Sequence, residues 1–131
     1  MPSFTLTRQS AGPLESVWKL LHDPARFPEW WQGIETVAVH TAAPDRSAYT
    51  MWPVGYPDFP MEQRLATTRG RVTISCLVSD LTFGWRLRDV GSGTEIEVTV
   101  DLPEREAHRL ADQRQLIDSS LTTLSRLAVD D

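Results

Sequence analysis

Few residues in this chain are of a type and spacing that could do chemistry. His22, His40 and His108 stand too far apart for two of them to ligate a metal from one element, and neither a cysteine cluster nor an HExxH run accompanies them. No metal site is therefore expected. Cys76, the single thiol, shares strand parity with Val72, Ile74 and Val78. It reads as a buried small hydrophobe, with no His or Asp placed to lower its pKa. Gly91-Ser92-Gly93 reads as a turn, not a nucleophile elbow, and no phosphate-binding glycine loop is present. Acid–base catalysis would need two titratable groups converging inside, and the in/out alternation supplies no such pair. Catalytic residues are left unassigned, and no cofactor is implied.

What remains is polar but uncharged, apart from Arg114. Gln63 shares its strand face with Met61 and Leu65, while Gln113 lies on an apolar helical stripe with Ser120 beside it. An inward polar side chain must find a partner. That partner is either a buried water or backbone carbonyl, or a ligand that these groups orient. The aromatic residues divide similarly. Trp18 and Trp30 are expected to pack short helices on a sheet. Phe83 and Trp85 share an inward face, and Trp31 and Trp52 belong nearer an entrance.

The elements that must position these residues are legible from patterning. Phe4 and Leu6 alternate with Thr5 and Thr7, as in a half-buried strand. Gly12 and Pro13 end that strand, and Pro13 is expected at the first position of a helix carrying Leu14, Val17, Trp18 and Leu21 on one face. Asp23-Pro24 repeats the start signal for a brief second helix over residues 24–31, limited by Pro28 and Gly33. Strands are then expected over residues 34–41, 47–54, 61–68, 71–78, 81–88 and 95–102. Residues 55–60 hold one glycine and two prolines and form a loop. Tyr56 and Phe59 in it suggest a gate over a binding site. Residues 104–128 contain no glycine or proline and carry Leu110, Gln113, Ile117, Leu121, Leu124 and Ala128 on one stripe of a long helix. A one-sided antiparallel sheet and a one-sided helix must cover each other. A curved sheet does so incompletely, which leaves a hollow.

Length and charge bound the rest. The 131 residues suit one domain, residues 1–131, and the formal net charge of −5 argues against a nucleic-acid partner. No signal peptide or membrane span is read. One cysteine fits a reducing, cytoplasmic setting. Oligomeric state is not legible.

Val17-Trp18-x-Leu20-Leu21-x-Asp23, Phe27-Pro28-x-Trp30-Trp31, Gly93-Thr94 and Leu121-x-x-Leu124-x-x-Leu127 together resemble the START-like superfamily, also called SRPBCC or helix-grip, and within it the polyketide cyclase/dehydrase-like group. The resemblance covers almost the whole chain. It implies an α+β fold: a curved antiparallel sheet of six or seven strands around a long C-terminal helix, with two short helices after the first strand. It also implies that a hydrophobic or amphipathic small molecule (lipid, polyketide or quinone-like) binds between sheet and helix. The expected lining is Tyr49, Met51, Gln63, Phe83, Trp85, Gln113, Ile117, Ser120 and Leu121. A cyclase or dehydratase-like enzyme and a protein-interaction module are the alternatives.

Overall fold

A computed structural model of the chain describes residues 2–130. Strand β1 (Ser3–Ser10) leads through Gly12 into helix α1 (Leu14–Leu21), followed by a 3-10 helix (Pro24–Glu29). A meander follows: β2 (Ile34–Ala43), β3 (Arg46–Pro53), β4 (Met61–Thr68), β5 (Arg71–Cys76), β6 (Thr82–Asp89) and β7 (Thr94–Asp101). A second 3-10 helix (Glu104–Arg109) opens into α2 (Leu110–Asp130). The seven strands form one antiparallel sheet in the order β1-β7-β6-β5-β4-β3-β2, so β1 crosses over to pair with the last strand.

The boundaries shift from expectation for local reasons. Pro13 is the extended cap residue and not the first helical one. Its carbonyl accepts from the Ser16 and Val17 N–H groups, and Leu14 opens α1. At the other end of α1, the Leu20 carbonyl would bond the N–H of residue 24, which is a proline. The Trp30 Nε1–H takes that place at 3.0 Å. Asp23 caps the next segment through Oδ1, which accepts from the Ala25 N–H at 3.1 Å. That segment is 3-10 and ends at Glu29, because Pro28 inside it has no N–H for an α-helical bond. Likewise the final helix is not α-helical from residue 104. Its lead-in is 3-10, with the Glu106 N–H on the Pro103 carbonyl, and Arg105 pairs with Asp80.

Strand parity holds in β4, β6 and β7, is lost in β2 and β3, where Val39 is exposed and Tyr49 and Thr50 are both buried, and fails at the end of β5. Val78 does not share the inward face with Cys76. β5 stops at Cys76, the Asp80 N–H returns to the Cys76 carbonyl at 3.0 Å, and Leu77 and Val78 are left exposed. In β2 the register slips at Glu35 and at His40, each an extra residue against β3.

Helix α2 lies along the concave face and meets it unevenly. Ile117, Ser120, Leu121, Leu124 and Ala128 are buried. Leu110, Gln113 and Leu116, on the same stripe one to two turns earlier, are only half-buried. From Asp118 onward the helix is latched to β1 and its neighbour. Arg8 pairs with Asp118 at 2.6 Å, and the Ser10 hydroxyl donates to the Ser125 carbonyl at 2.6 Å. Gly12 lies so close to the helix that a Cβ there would sit 2.6 Å from the Ala128 carbonyl oxygen. The Gly12 carbonyl also accepts from the Thr94 hydroxyl at 2.9 Å, so β1, α1, β7 and α2 converge on this residue.

Gly12→Ala should therefore destabilise the fold by about 1–3 kcal/mol, as overpacking against backbone does. Urea denaturation measures this, and an unchanged midpoint would show that α2 can yield at this contact.

Candidate functional site

A cavity of about 620 Å³ lies where α2 stands off from the sheet. Its size is within the range of about 300–1,000 Å³ typical of small-molecule sites. The strands contribute Tyr49 and Met51 from β3, Met61 and Gln63 from β4, Cys76 from β5 and Phe83 from β6. The helical side contributes Arg109, Asp112, Gln113 and Leu116. Trp31 and Ile34 close one flank, Ser79 and Leu81 the other, and Pro53, Val54 and Tyr56 form a rim.

The sheet register explains the polar part of this lining. Tyr49 is the cross-strand partner of Gln63, and Gln63 is the partner of Cys76. Directly opposed residues share a face of the sheet, so these three form a row across the concave side. Tyr49 is 1% and Gln63 4% exposed. Among the described residues, neither the Tyr49 hydroxyl nor the Gln63 amide has a hydrogen-bond partner. Burial holds the Tyr49 hydroxyl well above the usual tyrosine range, and the neighbouring Cys76, which would oppose a phenolate once ionised, adds to the rise.

An aromatic wall stands beside the row. Trp31 meets Phe83 edge-on with ring centres 5.1 Å apart, and Tyr49 meets Phe27 edge-on at 5.8 Å. Behind them Trp30 and Trp85 pack against Trp31, each with centres within 5.4 Å. The cavity wall is thus the outer surface of the core.

Tyr49, Met51, Gln63, Phe83 and Gln113 are brought together on the lining, whereas Trp85, Ile117, Ser120 and Leu121 are not. Trp85 lies behind Trp31, its indole N–H the one fully buried side-chain polar atom without a partner among the described residues. Ile117 and Leu121 fall on the part of α2, from Ile117 onward, that packs solidly. Ser120 spends both of its hydrogen-bonding roles on backbone: it accepts from the Gln32 N–H at 2.8 Å and donates to the Leu116 carbonyl at 2.7 Å. Of the two aromatic residues in the 55–60 loop, Tyr56 borders the cavity; Phe59 packs edge-on against Tyr56 with centres 6.0 Å apart and is 63% exposed. Trp52 borders a shallower groove with Glu35 and Thr36. Trp31, expected nearer an entrance, lines the cavity wall, as do Ile34, Cys76, Leu81 and Leu116, for which the sequence suggests no lining role.

The histidines serve locally. His22 stacks on Trp18 with ring centres 5.4 Å apart, and His40 bonds Thr50, which donates to Glu62. His108 lies 4.0 Å from Glu106. Among the described residues, no three His, Cys, Asp or Glu side chains gather as a metal site. No helix in the described residues is long and apolar enough to cross a membrane.

The family described as polyketide cyclase / dehydrase and lipid transport matches residues 1–128. The chain belongs to that family. Solved structures of similar shape agree with a helix-grip fold for this polyketide cyclase / dehydrase member. The Zhui aromatase/cyclase from Streptomyces sp. R1128 superposes with a TM-score of 0.80 at 14% identity, over 97% of this chain and 93% of that one. Protein NE0264 from Nitrosomonas europaea gives 0.74 at 19% identity, over 95% and 92%. The di-domain ARO/CYC BexL of the BE-7585A biosynthetic pathway gives 0.64 at 18% identity, covering 98% of this chain and 48% of that one. No protein of curated function matches the sequence. At such identities the similarity carries the fold alone.

The Tyr49 shift has a measurable consequence. Its folded-state pKa is raised, so the stability linked to its proton is fully present below the unfolded tyrosine value of about 10 and is lost as pH rises beyond it. Stability of the native protein should fall from neutral pH to above about pH 10 more steeply than that of Tyr49→Phe. Denaturation midpoints at both pH values measure the difference, and parallel losses would remove Tyr49 as the cause.

Proposed function

We propose that this protein binds one hydrophobic or amphipathic small molecule in the cavity between β3–β6 and the first half of α2. The observation that carries the reading is the amide of Gln63 and the hydroxyl of Tyr49, on largely buried residues, which bond no other described residue and open onto the wall of an otherwise largely apolar cavity. Whatever occupies the cavity is positioned to bond them. The family description, which includes lipid transport, and the aromatic wall of Trp31 and Phe83 support the same class of guest.

Binding is favoured over catalysis by the same residues. The deep polar groups are neutral, and a tyrosine whose proton is held more tightly than usual is a poor general acid near neutral pH. The Arg and Asp on the lining, Arg109 and Asp112, come from the helical side, and Arg109 already lies 3.6 Å from Glu106.

Met51 is half-buried on the lining and can be enlarged into the space without opening the core. Met51→Trp should lower affinity for the uncharged probe N-phenyl-1-naphthylamine by at least about fivefold, since overfilling costs roughly 1–3 kcal/mol. Fluorescence titration reads affinity and circular dichroism checks the fold. Equal affinity in a folded variant would move the site elsewhere. Native mass spectrometry of the purified protein should also show a co-purifying small molecule.

A further inference from the structure

We infer that Tyr49 and Gln63 act as a recognition pair for an uncharged oxygen, a ketone carbonyl or a hydroxyl, on an otherwise apolar guest, and that this end of the cavity rejects carboxylates. The inference rests on the cavity's reading as a binding site and goes beyond it to name what the site selects.

Position comes first. Tyr49 and Gln63 are directly opposed on β3 and β4, and adjacent strands run about 4.8 Å apart. Two polar side chains therefore rise side by side from one face into the same space. Both are more than nine-tenths buried and neither bonds another described residue. Tyr49 keeps its proton and can donate. Gln63 offers an N–H pair and a carbonyl. A ketone oxygen can accept from both residues. A hydroxyl can accept from one and donate to the Gln63 carbonyl.

Charge decides the rest. The lining contributed by the strands holds no Lys, Arg or His. Cys76, next in the row, adds no cation. Arg109, the cation on the lining, comes from the lead-in to α2, where Glu106 and Asp112 accompany it. A carboxylate set against Tyr49 and Gln63 would lose its water and gain no counter-charge, which is strongly unfavourable. A fatty acid head is thus a poor occupant of this end, and a phenol or ketone a good one. The nearby rings of Trp31 and Phe83 suit a flat hydrocarbon body.

The test uses the native protein at about pH 7, where a carboxylate is ionised and a phenol is not. Phenanthrene, 9-phenanthrol and phenanthrene-9-carboxylate differ only in the group the pair would read. Fluorescence titration should give 9-phenanthrol at least about tenfold tighter binding than phenanthrene, the worth of one or two net hydrogen bonds. The carboxylate should bind more weakly than either. Gln63→Leu and Tyr49→Phe should each cut the phenanthrol-to-phenanthrene ratio by about threefold or more while phenanthrene itself still binds. A carboxylate that binds as tightly as the phenol, or variants that preserve the ratio, would overturn the inference. Phenanthrene and phenanthrol binding equally to the native protein would overturn it too, yet leave an apolar binding cavity standing. Should none of the three bind, the cavity reading falls and the inference with it.

Discussion

The uneven seating of α2 on the sheet is the constraint on which everything else depends. From Asp118 onward it is held by close contacts: the Arg8–Asp118 pair, the Ser10 hydroxyl on the Ser125 carbonyl, the Gln32 N–H on Ser120, and Gly12 pressed against Ala128. A straight rod fixed at one end of a twisting surface departs from it at the other. Gln113 and Leu116 are therefore half-buried against an interior space and not packed into a core. The cavity is a consequence of where the helix is fastened.

The boundary between solid core and open space runs through single residues. Trp31 packs against Trp30 and Trp85 on one side and borders the cavity on the other. Trp30 is tied by its N–H to the end of α1, supplying the donor that Pro24 lacks. The short helices after β1 thus fix the aromatic wall, and a guest would meet a surface already held in place. Pre-arranged walls lower the ordering cost of binding.

Much of this was legible from residue order. The Asp23-Pro24 start, the alternation within β4, β6 and β7, and the long apolar stripe near the C-terminus each follow from local rules that the structure obeys. Inward parity could not separate residues that face open space from those that face packing atoms. Trp85 and Phe83 share a face, as do Ile117 and Gln113, and each pair is split by how far along the sheet the helix remains in contact. Ser120 showed the same limit, since its backbone partner Gln32 lies on a distant segment. One signal was within reach. The turn at Arg69-Gly70, flanked by Thr68 opposite Arg71, sets the register that brings Gln63 beside Cys76. Val78 failed because β5 ends in a turn that its apolar character does not announce.

The irregular β2 carries a consequence of its own. It is the outermost strand beyond β3, and its free edge could template pairing with another copy of the chain. Glu35 and His40, the two surplus residues in its ladder, interrupt the even spacing of backbone donors and acceptors that such stacking requires. The same irregularities that turn His40 toward Thr50 thereby guard the open side of the sheet against fibrillar growth. Deleting either surplus residue would straighten that margin and invite aggregation.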